Sequence, residues 1–235
     1  QGYCRKMHTV ALGAGWVLTA VVLFMTSSRG GYLAWGVGML LVLLLWKRWK
    51  LALTLSVAAG CALVWFLSVN GQPEMLPGAM EGALDPDSWA FRQQVWHVAL
   101  QMLADFPFTG VGGGNFNTVA LLLYPFSETA NPGTHNLYLQ VGVDLGFPGL
   151  IVFLSLLGIV GWMAGTAIRL LRRHADVELS GLAIGLSSGL AALLAHGLVD
   201  NTMWGSRAAF ILWVVVGAVT AVYRFAVTLP THEAV

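Results

Sequence analysis

Six long apolar runs constrain this chain more than any other feature. They cover about Thr9 to Thr26, Gly31 to Trp46, Leu51 to Val69, Pro148 to Ile168, Leu179 to Val199 and Ala208 to Val222. Each is close to the roughly 20 residues that a helix needs to cross a bilayer core, with the second run a little short. Strand-like alternation is absent, and an open sheet would leave unpaired backbone groups in lipid. We therefore predict an all-α, polytopic transmembrane protein with about six spans.

The cationic residues predict how these spans are oriented. Nine of the twelve Lys and Arg residues fall on one side of the predicted membrane, namely Arg5, Lys6, Lys47, Arg48, Lys50, Arg169, Arg172, Arg173 and Arg224. The other side has Arg29, Arg92 and Arg207. Because positive charge is retained in the cytoplasm, we predict that both termini lie inside. Residues 27–30, 70–147 and 200–207 are then outside.

The outer connection of residues 70–147 is far longer than an ordinary loop, so we expect it to have its own structure. The predicted organisation is three transmembrane helices in residues 1–69, an external catalytic region in 70–147, and three further helices with a cytoplasmic tail in 148–235. No initiator Met or cleavable signal precedes the first run. We therefore expect this chain to be the carboxyl-terminal part of a protein with further helices upstream.

Two helices are predicted within the outer region. The first, Trp89 to Phe106, is amphipathic, with Asp87 or Ser88 as its N-cap and Pro107 beyond its end. Its apolar stripe contains Trp89, Trp96, Leu100 and Leu103, and its polar face contains Gln93, His97 and Gln101. We expect it to lie along the membrane surface. The second helical pattern runs from His135 to Leu145, before Gly146-Phe-Pro148-Gly149 interrupts it.

The candidate chemical groups lie in these outer segments. An imidazole has an ordinary pKa of about 6.5, which suits proton transfer from a sugar hydroxyl, so His135 beside Asn136 is a candidate base. An ordinary histidine at a helix start is the alternative. Arg29, Arg92 and Arg207 break the charge bias, and guanidinium groups bind phosphate through two parallel hydrogen bonds. These arginines predict a diphosphate ligand. The alternative is charge solvated by lipid headgroups, and it has most weight for Arg207.

Two further motifs have weaker functional interpretations. Gly110 to Gly114 lacks the Gly-Lys-Ser/Thr sequence of a P-loop, so we predict a tight turn there. Asp85-Pro-Asp87 has the form of a metal-binding Asp-x-Asp motif, but the sequence supplies no evident third ligand. A turn followed by a helix cap is the favoured interpretation.

Several other polar and aromatic residues have structural interpretations as well. His97 is assigned to the polar face of its helix. His196 and Asp200, four residues apart, are interpreted as a structural pair, with an approach to the site as the alternative. The tryptophans near predicted span ends are interpreted as interfacial anchors, and they include Trp46, Trp49, Trp89 and Trp204.

An ordered series of short motifs provides a family resemblance. The series is Ser28-Arg29-Gly30, Arg92 with Trp96, the run from Pro107 to Phe116, His135-Asn136-Leu-Tyr138-Leu-Gln140, and Gly146-Phe-Pro148-Gly149. Together these resemble the O-antigen ligase and O-antigen polymerase superfamily over about Thr19 to Gly165. Such proteins transfer glycans from undecaprenyl diphosphate to an acceptor glycan, lipid A core or protein, outside the inner membrane. Family members usually have ten or more spans, which agrees with the expectation of missing upstream helices.

The resemblance implies residue roles and partners. Arg29 and Arg92 would hold the diphosphate and His135 would activate the acceptor hydroxyl, without a metal, cofactor or nucleotide sugar. We add Arg207 as a third diphosphate ligand, and the expected supporting residues are Asn136, Tyr138, Gly112 and Asn115.

These roles predict an inverting glycosyltransferase in the bacterial inner membrane, with the lipid bilayer as a partner and no nucleic acid. Ligase, polymerase and protein O-oligosaccharyltransferase activities all stay open. A lipid-linked glycan flippase is the alternative from another class, and it predicts ionisable groups near the bilayer midplane.

Overall fold

The computed structural model describes residues 14–15, 17–23, 25–26, 28–48, 50–51, 54, 86–124 and 133–230. Its helices with defined bounds are α1 (Arg29–Leu45), α2 (Pro86–Asp105), α3 (Phe116–Leu123), α4 (Leu137–Arg173), α5 (Val177–His196) and α6 (Phe210–Thr228). Residues 17–23 are helical as well, and no strand occurs in the described part of the chain. The predicted all-α class is confirmed for these residues.

Three of the helices, α4, α5 and α6, are long and apolar enough to cross a membrane. They correspond to the last three apolar runs of the sequence. Helix α1 has 17 residues and matches the second run. The run from Leu51 to Val69 falls almost entirely outside the described residues, so the number of six spans stays a prediction.

Helix α1 lies antiparallel to α5, and glycines allow the two backbones to approach. A Cβ atom added at Gly38 would lie 3.3 Å from the carbonyl oxygen of Ser188, and one added at Gly30 would lie 2.7 Å from Cγ2 of Val199. Small residues commonly allow the backbones of two membrane helices to come close together. The beginning of α1 is therefore held beside the end of α5. We call the end of the helix bundle that contains Gly30 and Val199 the site end, because the candidate residues lie there.

Helix α2 differs from its sequence prediction at its start and on its apolar face. It begins at Pro86, which suits a first helical position because proline has no N–H to leave unpaired. The N-cap prediction for Asp87 and Ser88 was therefore wrong, since both lie inside the helix. Asp105 ends the helix two residues before Pro107, and the end was predicted correctly.

The buried stripe of α2 is Val95, Val98, Ala99 and Met102, at the helical spacing of three and four residues. This stripe packs against Phe116 and Ala120 of α3 and Val143 of α4. Leu100 and Trp89 were placed on the apolar stripe but are 54% and 49% exposed. Leu103 is buried as expected, and Gln93, His97 and Gln101 are exposed.

Beyond α3, the Tyr124 hydroxyl donates to Oδ2 of Asp105 at 2.6 Å. Burial and the adjacent Asp105 carboxylate raise the pKa of Tyr124 to about 12. This bond joins the ends of α2 and α3.

Helix α4 is kinked at Gly146, and residues 107–115, which we call the glycine loop, complete its broken hydrogen bonds. Gly146 has a φ of 68° and a ψ of −176°, and Pro148 has no N–H to donate. The carbonyl groups of Val143 and Asp144 accept instead from the N–H groups of Val111 (2.8 Å) and Gly112 (3.1 Å), while Phe147 N–H donates to the Pro107 carbonyl (2.7 Å).

Residue 110 must be glycine to fit against this kink. Its φ is +62°, and a Cβ atom there would lie 2.5 Å from the carbonyl oxygen of Val143. The loop is thus a tight turn, as expected, and it fixes α2 on the kink of α4.

Candidate functional site

The predicted histidine lies in a turn immediately before α4. Thr134 Oγ1 donates to the Asn136 carbonyl at 2.7 Å, and His135 between them has a φ of +50°. The Asn136 side chain caps the helix by accepting from the N–H groups of Tyr138 and Leu139, both at 3.0 Å. The helix therefore starts at Leu137, and the prediction that His135 begins it was wrong. Asn caps a helix well because its side-chain oxygen accepts hydrogen bonds from N–H groups of the first turn that have no helical partner.

This turn is bonded to the last turn of α5. Leu137 N–H donates to the Gly197 carbonyl at 2.7 Å, and Asn136 Nδ2 donates to the Leu198 carbonyl at 3.0 Å. The Tyr138 hydroxyl donates to the Leu194 carbonyl at 2.9 Å. Asn136 and Tyr138, which were expected to support the site, thus donate hydrogen bonds to the backbone at the end of α5.

Arg92 reaches the segment that directly follows α5. Its Nη1 donates to the Val199 carbonyl at 2.7 Å, across 107 residues of sequence. Helix α1 also starts here, because Gly30 packs against Val199 and the His196 ring. The backbone of Arg29 is adjacent, although its side chain is outside the described part of the structure. The site end therefore brings together the segments of Arg29, Arg92 and His135.

His135 is in an environment that favours a neutral imidazole. Burial lowers its pKa most, the positive charge of Arg92 lowers it further, and the Asp200 carboxylate opposes both. The Phe91 ring lies edge-on to the imidazole, with the ring centroids 6.4 Å apart. An imidazole that is neutral at pH 7 can accept a proton.

A buried polar network lies behind the His135 turn. The Gln140 side-chain oxygen accepts from Thr134 N–H (2.8 Å) and from Asn201 Nδ2 (3.0 Å). Gln140 Nε2 donates to one Asp144 oxygen and the Trp204 indole N–H to the other, both at 2.9 Å. Thr134, Gln140 and Asp144 are at most 4% exposed. The network connects α4 to the segment that follows α5.

Sequence reasoning missed this network, and it gave an approach of Asp200 to the site only as the alternative to a structural pair with His196. Gln140 and Asp144 are polar and four residues apart in an apolar helix, and that spacing was the available signal. Trp204, interpreted as an interfacial anchor, donates its indole N–H to Asp144. Asp200 and His196 are joined through their backbones, because Asp200 N–H donates to the His196 carbonyl at 3.1 Å.

The remaining predicted residues lie in different surroundings. Gly112 and Asn115 belong to the glycine loop, where Asn115 Nδ2 donates to the Val111 carbonyl at 3.0 Å. Arg207 is exposed between α5 and α6. Asp85 and the Asp87 side chain are outside the described residues, so the Asp-x-Asp motif is untested. In the described segments no three His, Cys, Asp or Glu residues group as metal ligands would, and metal independence stays a prediction.

Long apolar helices with a polar cluster of histidine, arginine and aspartate at one end define a membrane protein with a candidate site at that end. A family model described as O-antigen ligase matches residues 14–154, which is more than half of the chain. This chain belongs to the O-antigen ligase family.

It is therefore a membrane enzyme of the glycosyltransferase or ligase type, and its family implies lipid-linked glycan and acceptor substrates. No curated protein matches it. The matched range contains Arg29, Arg92 and His135, whereas Val199 and Asp200 lie beyond it.

Proposed function

We propose that this protein transfers a glycan from undecaprenyl diphosphate to an acceptor hydroxyl at the outer face of the bacterial inner membrane. The observation that carries the proposal is the meeting of Arg92 and His135 at the end of α5, since each comes from a separate segment. Arg92 bonds the Val199 carbonyl, and its charge acts on the His135 imidazole. A cation beside a neutral base suits the departure of an anionic group during attack by a hydroxyl.

In the proposed reaction, His135 accepts the proton of the acceptor hydroxyl. The hydroxyl oxygen forms a bond to the anomeric carbon as the bond from that carbon to the diphosphate oxygen breaks. Undecaprenyl diphosphate leaves with the electron pair of the broken bond. A single displacement of this kind inverts the anomeric carbon.

The arginines would stabilise the leaving group. The bond to Val199 uses one of the five N–H donors of the Arg92 guanidinium, and it holds the side chain in place for phosphate oxygens at the remaining donors. Arg29 would act beside it, because α1 begins at the same place. The amino end of α1 also carries partial positive charge. Arg207, exposed in the next segment, is proposed as a weaker third ligand.

The first test replaces the base. His135→Ala in the full-length protein should reduce transfer from a defined undecaprenyl-diphosphate glycan by roughly 10²- to 10⁴-fold, with donor binding nearly unchanged. His97→Ala is the matched control, because His97 is exposed on α2. Core lipid, a second glycan and a pilin-like protein, offered separately, distinguish ligase from polymerase and protein transferase. Near-normal transfer by a folded His135→Ala protein would show that His135 is not the general base.

The second test separates arginine from metal. Arg92→Lys keeps the charge but loses the planar fork of donors, so we expect transfer to be badly impaired. Transfer by the wild-type protein should survive EDTA, and the Asp85→Asn, Asp87→Asn double variant should stay active. Activity that EDTA removes and Mg²⁺ or Mn²⁺ restores would assign the diphosphate to a metal and not to the arginines.

A further inference from the structure

An aromatic pair on α2 lies beside the proposed diphosphate site. Trp89 and Trp96 pack edge to face, with ring centroids 5.5 Å apart and an interplanar angle of 81°. Trp89, Arg92 and Trp96 are separated by three and four residues, so they share one face of the helix. The aromatic pair therefore flanks the arginine that reaches Val199.

Trp96 is bonded to the turn that contains His135, and it also contacts the Trp89 ring. The Trp96 indole N–H donates to the Thr134 carbonyl at 2.9 Å, one residue before His135. A perpendicular contact covers at most one face of the Trp89 ring. Trp89 is 49% exposed, so a substantial part of a rigid aromatic surface is available to a ligand.

We propose that Trp89 is a sugar subsite, which stacks on the pyranose ring attached directly to the diphosphate of the donor. The C–H groups on one face of a pyranose carry partial positive charge and complement the negative face of an aromatic ring. Residues three apart on a helix have Cβ atoms about 5–6 Å apart, which is the scale of one sugar ring beside a phosphate held by Arg92.

Membrane anchoring is the competing role for Trp89, since tryptophans collect at membrane surfaces. An anchor requires only an apolar body at the correct depth. It does not require a second tryptophan bonded to the backbone beside the proposed base. The contact between Trp89 and Trp96, together with the bond from Trp96 to Thr134, therefore favours a role in substrate binding.

This inference rests on the proposed function, and its test measures binding without turnover. The full-length protein in proteoliposomes is titrated with two probes, undecaprenyl diphosphate and the same lipid carrying one N-acetylglucosamine. Trp89→Leu keeps an apolar side chain but removes the aromatic face. It should weaken binding of the sugar-bearing probe by about 3- to 10-fold and leave the bare lipid unchanged.

Two variants complete the test. Trp89→Phe should bind the sugar-bearing probe nearly as well as the wild type, because an aromatic face remains. Leu100→Ala is the control, as Leu100 is 54% exposed on the same helix. Equal weakening of binding for both probes would identify Trp89 as an anchor. Unchanged binding of both probes would show that Trp89 does not contact the donor. Failure of the proposed function would appear separately, as wild-type protein that binds donor but transfers no glycan.

Discussion

His135 adopts a backbone conformation that L-residues rarely have. Its φ of +50° lies in the left-handed region, which costs about 1–2 kcal/mol for a residue with a side chain. Bonds from the neighbouring Thr134 and from Asn136, which also caps α4, hold the turn in place. A strained residue that its surroundings fix so completely is typical of functional sites. The strain and the predicted catalytic role therefore fall on the same residue.

The charges around His135 predict the pH dependence of transfer. The imidazole must be neutral to accept a proton, so activity is lost as the pH falls through its pKa. Since burial and Arg92 lower that pKa, the acid limb of kcat/KM should lie below pH 6.5. Asp200→Asn removes a carboxylate that raises the pKa, so the limb should move to still lower pH.

The measurement is a pH profile of transfer from pH 4.5 to 8 for the wild type, Asp200→Asn and the control His97→Ala. The control should have the wild-type limb. A limb that moves to higher pH in Asp200→Asn would contradict the electrostatic assignment.

At the scale of elements, the glycine loop and the kink of α4 form one unit. Pro148 and the conformation of Gly146 leave two carbonyl groups of α4 without helical partners, and the loop supplies Val111 and Gly112 N–H groups. An unpaired buried carbonyl costs about 1–3 kcal/mol, so loop and kink stabilise each other. Asp144 belongs to both features, because its carbonyl accepts from Gly112 and its side chain accepts from Gln140 in the network behind His135.

Substitution of two loop glycines tests this unit. Gly110→Ala should lower the free energy of unfolding by about 2 kcal/mol or more, because alanine resists a positive φ and its Cβ would contact the backbone of Val143 and Asp144. Gly113→Ala, where an added Cβ meets nothing within 4 Å, should change it by less than about 0.5 kcal/mol.

Denaturation of the detergent-purified wild type and the two variants measures both changes in the free energy of unfolding. Equal stability of the two variants would show that the contact with the kink contributes little.

At the scale of the whole molecule, the two ends of the bundle differ. The site end holds the start of α1, the turn before α4, the end of α5 and Arg92 of α2. At the other end, the Arg172 guanidinium donates to the Leu45 carbonyl at the end of α1. The described parts of the segments that the charge bias predicts to be external therefore meet at the site end, and a cation predicted to be cytoplasmic lies at the opposite end.

Cysteine labelling tests this topology. In a chain with Cys4 and Cys61 replaced by serine, Gln93→Cys and Ser206→Cys should react with a membrane-impermeant maleimide added outside spheroplasts. Arg173→Cys should react only after the membrane is opened, because cations are retained in the cytoplasm. All three positions are exposed, so accessibility to the reagent depends on the side of the membrane. The reverse pattern would invert the topology and place the proposed site in the cytoplasm.

The sequence by itself determined the features that depend on neighbouring residues. Apolar runs of sufficient length predicted α4, α5 and α6, because lipid requires helices whose backbone groups bond internally. Pro107 correctly marked the end of α2. Arg92 was selected because a cation breaks the charge bias on the side of the membrane predicted to be external. His135 was selected because an imidazole in an outer segment suits proton transfer.

Tertiary structure decided how these residues meet. Arg92 is 107 residues from its partner Val199, and Trp204 is 60 residues from Asp144. Helical periodicity reports which residues share a face but not which distant segment covers that face. The exposure of Leu100 and the influence of Asp200 on His135 therefore required the packed molecule. So did the contact of the first residue of α4 with the segment after α5, since Leu137 N–H donates to the Gly197 carbonyl.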